Sequence, residues 1–482
     1  MVNSGLSRRR GGVALVIGLT TMVTLLIFLR WTTGGGLDLA RLAPYATRPS
    51  MASDSTETLT VVEIDDEFIP LEENPSYSPV DTLRNEILLH PFTSIPNQAH
   101  VHGFTVIDNL YLRQGTFYIL APNASQVFPP RRELISRPVE SRAGVDSDPT
   151  DQELQFLEPE SHAAESILGS QRAMRVSGVS VVVYDPSQFM HHFYHWFGEI
   201  ILGFWRVYTH TLLDSDVAQV DFGRLPPVER FLLPFISSDS EWRDRAGVDG
   251  PLMRAAFPNS LIETAAYWND LKKLDTTVIF ERTIIITRSA AHKHPFGGVW
   301  YKMIAGTMNV TAPEDFWRPI RENVWESMWG TRMAGVDGKR PVVTYISRQG
   351  GGRRLNGTDH EALVAALHEL ESSGHCDVQV VQMEKMILKD QVDVMRNSTA
   401  NPCRGTWQWT NGMFIHQLWM QPSPRSTVIE IFAPEAYVFD YEMLARNMGH
   451  KHYAVWNDTY LTFEKGTYHK ARRKLSERLP RQ

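Results

Sequence analysis

From Pro341 onward the chain alternates between short apolar runs and stretches with helical spacing. Residues 342–347 form one run, and Asp359–Leu370 then places apolar residues at 363, 364, 366, 367 and 370. Asp377–Met383 is a second run, Met386–Met395 returns to helical spacing, and residues 426–432 form a third run before a short helix near Tyr441–Asn447. Apolar residues at i, i+3, i+4 cover one face of a helix, and runs of four to eight read as buried strands. Strands alternating with helices imply a parallel sheet covered on both faces, so the pattern predicts an α/β fold.

Upstream, Gly178–Tyr184 is a continuous apolar strand feeding a long helix from about Met190 to Leu213. Pro226-Pro227 ends that region, Arg230–Pro234 resumes as a short strand, and Thr283–Thr287 is another buried strand. Strand-like patterns also occur at Leu59–Ile64, Phe104–Ile107 and Thr116–Leu120. Residues 129–176 are polar, with Pro and acidic residues, and predict a long loop or insertion. There are no internal repeats.

The N-terminus has a different pattern. Val13–Leu29 carries no charge and is bracketed by Arg8-Arg9-Arg10 and Arg30. A run of about 17–19 residues is at the short end for crossing a ~30 Å hydrocarbon core. We expect a signal anchor over residues 13–30, with residues 1–12 in the cytosol by the positive-inside rule and a Gly/Ser/Thr/Pro-rich stem over 31–60. The alternative is a cleaved signal peptide, for which Thr32–Gly36 is only a loose cleavage site. A luminal body agrees with the N-x-[ST] patterns at Asn123, Asn309, Asn356, Asn397 and Asn457. The expected location is the Golgi or endoplasmic reticulum membrane, type II.

At 482 residues, 43% hydrophobic and 21% charged, the chain has material for two or three ordinary domains. A net charge of −7 argues against a general nucleic-acid binder, which needs a basic face. Two cysteines, Cys376 and Cys403, exclude a disulfide-built scaffold and a multi-cysteine zinc site.

Two segments carry candidate chemistry. Arg348 ends the 342–347 strand and is followed by Gly350-Gly351-Gly352 and then Arg353-Arg354. Glycines let backbone approach a phosphate and guanidinium offers bidentate contacts, so the segment fits a diphosphate. His195 and Glu199 are four apart on the predicted helix and share a face, with Trp196 and Trp205 on the adjoining stripe. A proton acceptor beside an aromatic platform suits a sugar, with Trp196 as the platform and His195 or Glu199 as the base. His191, His192 and His195 also permit a zinc reading, but no H-E-x-x-H is present and no metal is assigned. The D-x-D triplets at 146–148 and 214–216 do not follow a buried strand and are set aside.

The block Phe193-Tyr194-His195-Trp196-Phe197-Gly198-Glu199, the block Tyr345-Ile346-Ser347-Arg348-Gln349 with Arg353-Arg354, and the strand Ser426–Phe432 together resemble glycosyltransferase family 61. The resemblance covers residues 180–460. It implies a GT-B-like fold: an acceptor-side domain over 61–280, a nucleotide-sugar-binding domain over 281–465 and a basic tail over 466–482. It also implies metal-independent inverting transfer from a UDP-linked donor to a glycan or protein hydroxyl, with no other cofactor. Arg348 and Arg353 or Arg354 would lie on the donor side, and Glu430 near the ribose. The alternative is a catalytically inactive relative that binds glycan or scaffolds other transferases.

One segment departs from the family. Where it has close to Gly-Val-His-Gly-(Asn or Ala)-Gly-Leu-Thr, this chain reads Arg404-Gly405-Thr406-Trp407-Gln408-Trp409-Thr410-Asn411. Tryptophan has a single codon. Shifted by one base, Trp407-Gln408 must encode glycine, Trp409-Thr410 must encode glycine, and the codon between them is Asn or Ser. We therefore expect a gene-model frame error over about residues 400–415; the alternative is true divergence of a surface loop. Genomic and transcript sequence across this stretch should show a His codon in the shifted frame, and its absence ends the idea.

Overall fold

The computed structural model describes residues 90–169, 173–213, 220–331, 340–350, 354–404, 413–432, 438–456 and 459–462. All of them belong to one compact unit, Pro75–Gln482. The expected anchor at 13–30, the stem, the Leu59–Ile64 strand, the 466–482 tail, Arg353 and Asn457 lie outside the described residues, as do residues 405–412 of the suspect segment. Among the described residues no helix is long and apolar enough to cross a membrane.

The fold is α/β, built on two sheets. The first contains β1 (His100–Val101), β2 (Phe104–Arg113), β3 (Thr116–Leu120), β4 (Leu154–Leu157), β5 (Ala173–Val183), β6 (Val228–Leu232), β7 (Leu261–Glu263) and β8 (Thr277–Ile286). Its order is β4-β3-β2-β8-β5-β6-β7, with β1 paired to β2. Strands β8, β5, β6 and β7 run parallel, and β2 joins antiparallel to β8. The second sheet contains β9 (Val342–Ile346), β10 (Asp377–Val381), β11 (Ala400–Arg404), β12 (Thr427–Ile431), β13 (Lys451–Trp456) and β14 (Thr459–Thr462). Its order is β10-β9-β11-β12-β13-β14, parallel except for the last pair.

Alternation across the pleat decides where each residue packs. Val181, Val183, Ile284 and Ile286 face one core, while Val182 and Ile285 face another on the opposite side. The first core also takes in Trp196, Phe197 and Ile200 and continues into Ile346, Val428 and Leu444. The two sheets therefore share a hydrophobic interior, and Gly198 marks the close approach. A Cβ at Gly198 would lie 2.4 Å from Ile415 Cδ1 and 3.1 Å from Leu444 Cδ2.

Three expectations need correction. The division after residue 280 is wrong, because β8 is central to the first sheet; the sheets divide between Trp329 and Val342. An apolar strand reads the same whichever sheet receives it. The 129–176 stretch is not merely loop, since it holds β4 and the helices Arg131–Leu134 and His162–Leu168. The long helix has two parts, a π-helical segment Tyr194–Ile201 followed by an α-helix Leu202–His210.

Gly103 ties the first sheet to the helix Arg288–Lys293. Its φ is +75°, and a Cβ there would sit 2.4 Å from Thr287 O and 2.5 Å from Ala291 N, both backbone atoms. Gly103→Ala should cost about 2–4 kcal/mol, combining left-handed strain with overpacking against backbone. Urea denaturation checks this, and a change under about 0.5 kcal/mol would be the contrary result.

Candidate functional site

In open parallel sheets, ligands bind outside the C-terminal ends of the strands where the order reverses. In the first sheet that point lies between β5 and β8, since the chain passes from β5 to β6 on one side while β8 lies on the other. Tyr184 N extends the pairing to Ile286 O at 2.9 Å, and both strands then end in polar residues. Asp185 Oδ2 accepts from the backbone N of Arg288 at 2.8 Å. Burial raises the Asp185 pKa to about 6, opposed by the Arg288 charge. Phe189 has φ +91°, a conformation costly for a side-chain-bearing residue, and holds its ring 5.0 Å from the Arg288 guanidinium carbon. Asp185, Phe189 and Arg288 line a surface depression with Ser141 and Ser289.

The π-helical segment faces this point. Such segments are rare and occur frequently at functional sites. His195 Nδ1 lies 2.6 Å from Glu199 Oε2, so the face-sharing expected from their spacing is realised. A carboxylate only accepts, so Nδ1 carries the proton and donates, leaving the Nε2 lone pair as the basic atom. Arg288 Nη1 donates to the same Oε2 at 2.6 Å, and Met303 N donates to Oε1 at 3.2 Å. Glu199 is 1% exposed, whereas His195 retains 26%.

The electrostatics separate the two roles. Burial acts to raise the Glu199 pKa, but Arg288 and His195 outweigh it and hold the carboxyl well below its usual 4.5. Burial lowers the His195 pKa, with Glu199 opposing. The cluster is an ionised, fully engaged glutamate orienting a neutral, partly exposed imidazole. Arg288 Nη2 is buried with no hydrogen-bond partner among the described residues, and so is His292 Nε2 one helical turn on. Burial lowers the His292 pKa to about 4, aided by Arg288.

The second half of the chain closes this site. Lys302 pairs with Asp440, the first residue of the helix Asp440–Met448, and its Nζ lies 5.8 Å from the Tyr194 ring centre. Tyr194 OH donates to Asp440 O at 3.2 Å.

The second sheet reverses between β9 and β11, since β10 lies on one side and β11–β13 on the other. Ser347 and Arg348 directly follow β9, and Arg404 ends β11. Arg348 therefore stands at the strand end where it was expected. The side chain is nearly buried there, at 9% exposed. Arg354 is exposed. β11 itself is the first part of the suspect 400–415 segment.

Glu430 lies in β12, fully buried, with Oε2 2.8 Å from His452 Nε2 on β13. Its other oxygen has no hydrogen-bond partner among the described residues. Burial, with Asp440 adding to it, raises its pKa well above the usual value. Ring contact with Trp242 at 5.1 Å and complete burial overturn the platform assigned to Trp196: no face of that indole is open to a sugar. Among the acceptor asparagines, Asn123, Asn309 and Asn356 are exposed. Asn356 caps the helix Gly357–Ser372. Asn397 is half-buried, with Nδ2 donating to Asp393 O at 3.0 Å.

The residues missed in sequence are Arg288, His292, Lys302 and Asp440. Arg288 was open to the logic that singled out Arg348, since each arginine follows a buried strand. No family model matches this chain, and no curated protein matches it.

Proposed function

We propose that the chain is an inverting glycosyltransferase of the secretory pathway, with two Rossmann-like halves in a GT-B-like arrangement. The observation that carries this reading is the placement of its candidate segments. His195, Glu199 and Arg288 gather at one switch point, while Arg348 and the β11 end gather at the other. The acceptor would then meet the first half and the nucleotide-sugar the second, with membrane attachment through residues 13–30.

In the proposed reaction an acceptor hydroxyl loses its proton to His195 Nε2, and its oxygen attacks the anomeric carbon. The bond from that carbon to the diphosphate oxygen breaks on the opposite face, and the nucleoside diphosphate leaves with the electron pair. Glu199 and Arg288 act as positioning residues, since they fix the imidazole tautomer. Arg348 and backbone N–H groups at the β9 and β11 ends would stabilise the leaving charge without a metal.

UDP titration of the chain carrying the His-Gly segment tests the donor site. Charge-assisted contacts are each worth about 1.5–3 kcal/mol, so Arg348→Ala should weaken UDP binding roughly ten- to a hundredfold. Arg348→Lys should recover part of the loss, because it keeps the charge without the planar fork. Unchanged affinity in a folded Arg348→Ala variant would remove Arg348 from the donor site.

One observation favours a second reading. The segment after β11, as it stands, has no His-Gly turn, which suits a non-catalytic glycan-binding relative. Glycan binding without UDP binding in both frames would favour that reading.

A further inference from the structure

We propose that His100 Nε2, His102 Nε2 and a Glu133 carboxylate oxygen form a binding site for a divalent transition ion of the zinc type, clamping the His102–Gly103 turn to the helix Arg131–Leu134. The three side chains come from β1, the turn after it, and that short helix. Their donor atoms all lie within 4.8 Å of one another. His102 Nε2 is 3.6 Å from Glu133 Oε1, and His100 Nε2 is 3.9 Å from Glu133 Oε2. Ligand atoms around a tetrahedral ion with bonds of about 2.0–2.2 Å stand roughly 3.3 Å apart, so small side-chain rotations close the set.

The spacing explains why these contacts are poor as plain hydrogen bonds. At 3.6 and 3.9 Å they exceed hydrogen-bond length, and His100 Nε2 is buried with no hydrogen-bond partner among the described residues. His100 Nδ1 meets Thr105 Oγ1 at 2.8 Å. Where Nδ1 carries the ring proton and donates it to Thr105, the Nε2 lone pair faces the Glu133 carboxylate oxygens, and acceptors confronting each other in this way form the donor set of a cation. An outer partner on the far nitrogen is also the arrangement that orients metal-bound histidines.

Two imidazoles and a carboxylate suit a borderline ion such as Zn²⁺ better than Mg²⁺ or Ca²⁺, which take oxygen ligands. Three protein ligands leave a fourth position for water. His294, whose ring meets His102 edge-on at 5.2 Å, is not a fourth ligand: Nδ1 accepts from Phe296 N, and Nε2 lies 3.4 Å from Asn309 Nδ2. Arg132, whose charge reaches His102, is the nearby group that opposes a cation. The site has a structural consequence. Gly103 N donates to Glu133 O at 2.8 Å, and Thr287 N donates to Gly103 O at 2.9 Å. An ion here would brace the turn against which the Arg288 helix begins.

The test is metal titration of the full chain after chelator treatment, with Zn²⁺, with Co²⁺ as a visible-absorption probe, and with Mg²⁺ and Ca²⁺ as controls. One Zn²⁺ per chain should bind, Co²⁺ should give a visible band that Zn²⁺ displaces, and Tm should rise by roughly 3–6 °C at saturation. His102→Ala and Glu133→Gln should each weaken binding at least tenfold, while the metal-free variants melt close to metal-free wild type. Glu133→Gln keeps the side-chain shape should His102→Ala fail to fold. Absence of binding in wild type, equal binding in the variants, or equal uptake of Mg²⁺ or Ca²⁺ would each overturn the proposal.

Discussion

Arg288→Met should destabilise the fold by about 3–5 kcal/mol at pH 7, the usual cost of leaving a buried charge without its partner. Glu199 is 1% exposed, and Arg288 is the largest influence holding its carboxyl ionised. His195 and Met303 N still contact the carboxylate in the variant, which places the loss toward the lower end. The pH dependence is the sharper part. In wild type the folded Glu199 pKa lies below its unfolded value, so the carboxylate stabilises fully above about pH 4.5 and this contribution fades as pH falls further. Without Arg288, burial should raise that pKa instead, and Glu199 takes up a proton on folding. The deficit of Arg288→Met should therefore shrink between pH 7 and pH 5. Glu199→Gln/Arg288→Met should be more stable at pH 7 than Arg288→Met alone. Urea denaturation at both pH values checks this, and a deficit independent of pH would contradict the assignment.

The second large effect concerns His195. His195→Gln in the frame-corrected chain should lower transfer about 10²–10⁴-fold, the usual contribution of a positioned base. Folding should change little, because His195 is 26% exposed and Glu199 keeps Arg288 and Met303 N. The imidazole must be neutral to accept a proton, and burial lowers its pKa below 6.5. Wild-type activity should therefore persist below pH 6.5 before its acid limb. Glu199→Gln should move that limb, since it removes the carboxylate that raises the His195 pKa, whereas a purely structural role would leave the profile in place. Turnover by His195→Gln within threefold of wild type would exclude it as the base.

Much of the sheet framework is legible from apolar runs. The strands at 178–184, 230–234, 283–287, 342–347, 377–383 and 426–432 each overlap an observed strand, although β5 and β8 begin five and six residues earlier than the apolar runs. Periodicity does not state which sheet a strand joins, and that is why Thr283–Thr287 was placed in the wrong half. The His195–Glu199 contact was legible because it is local. Arg288 lies 89 residues from Glu199 and reaches it only because β8 pairs with β5. Trp196 was misjudged because a helical stripe does not tell an outward aromatic from an inward one. Its neighbour Trp242 comes from beyond β6, so the contact is not local in sequence. Arg348 shows the limit from the other direction: its strand fixed the position, but its burial depends on what packs around it.

The most direct measurement of the central claim is NMR of the frame-corrected chain incubated with a panel of UDP-sugars, with and without simple glycosides as acceptors. The account predicts UDP release from at least one donor, with the transferred or hydrolysed sugar first appearing as the anomer opposite to the donor's, and loss of this turnover in His195→Gln. Retention of the donor's configuration, or no UDP release from any donor by a folded protein, would contradict it.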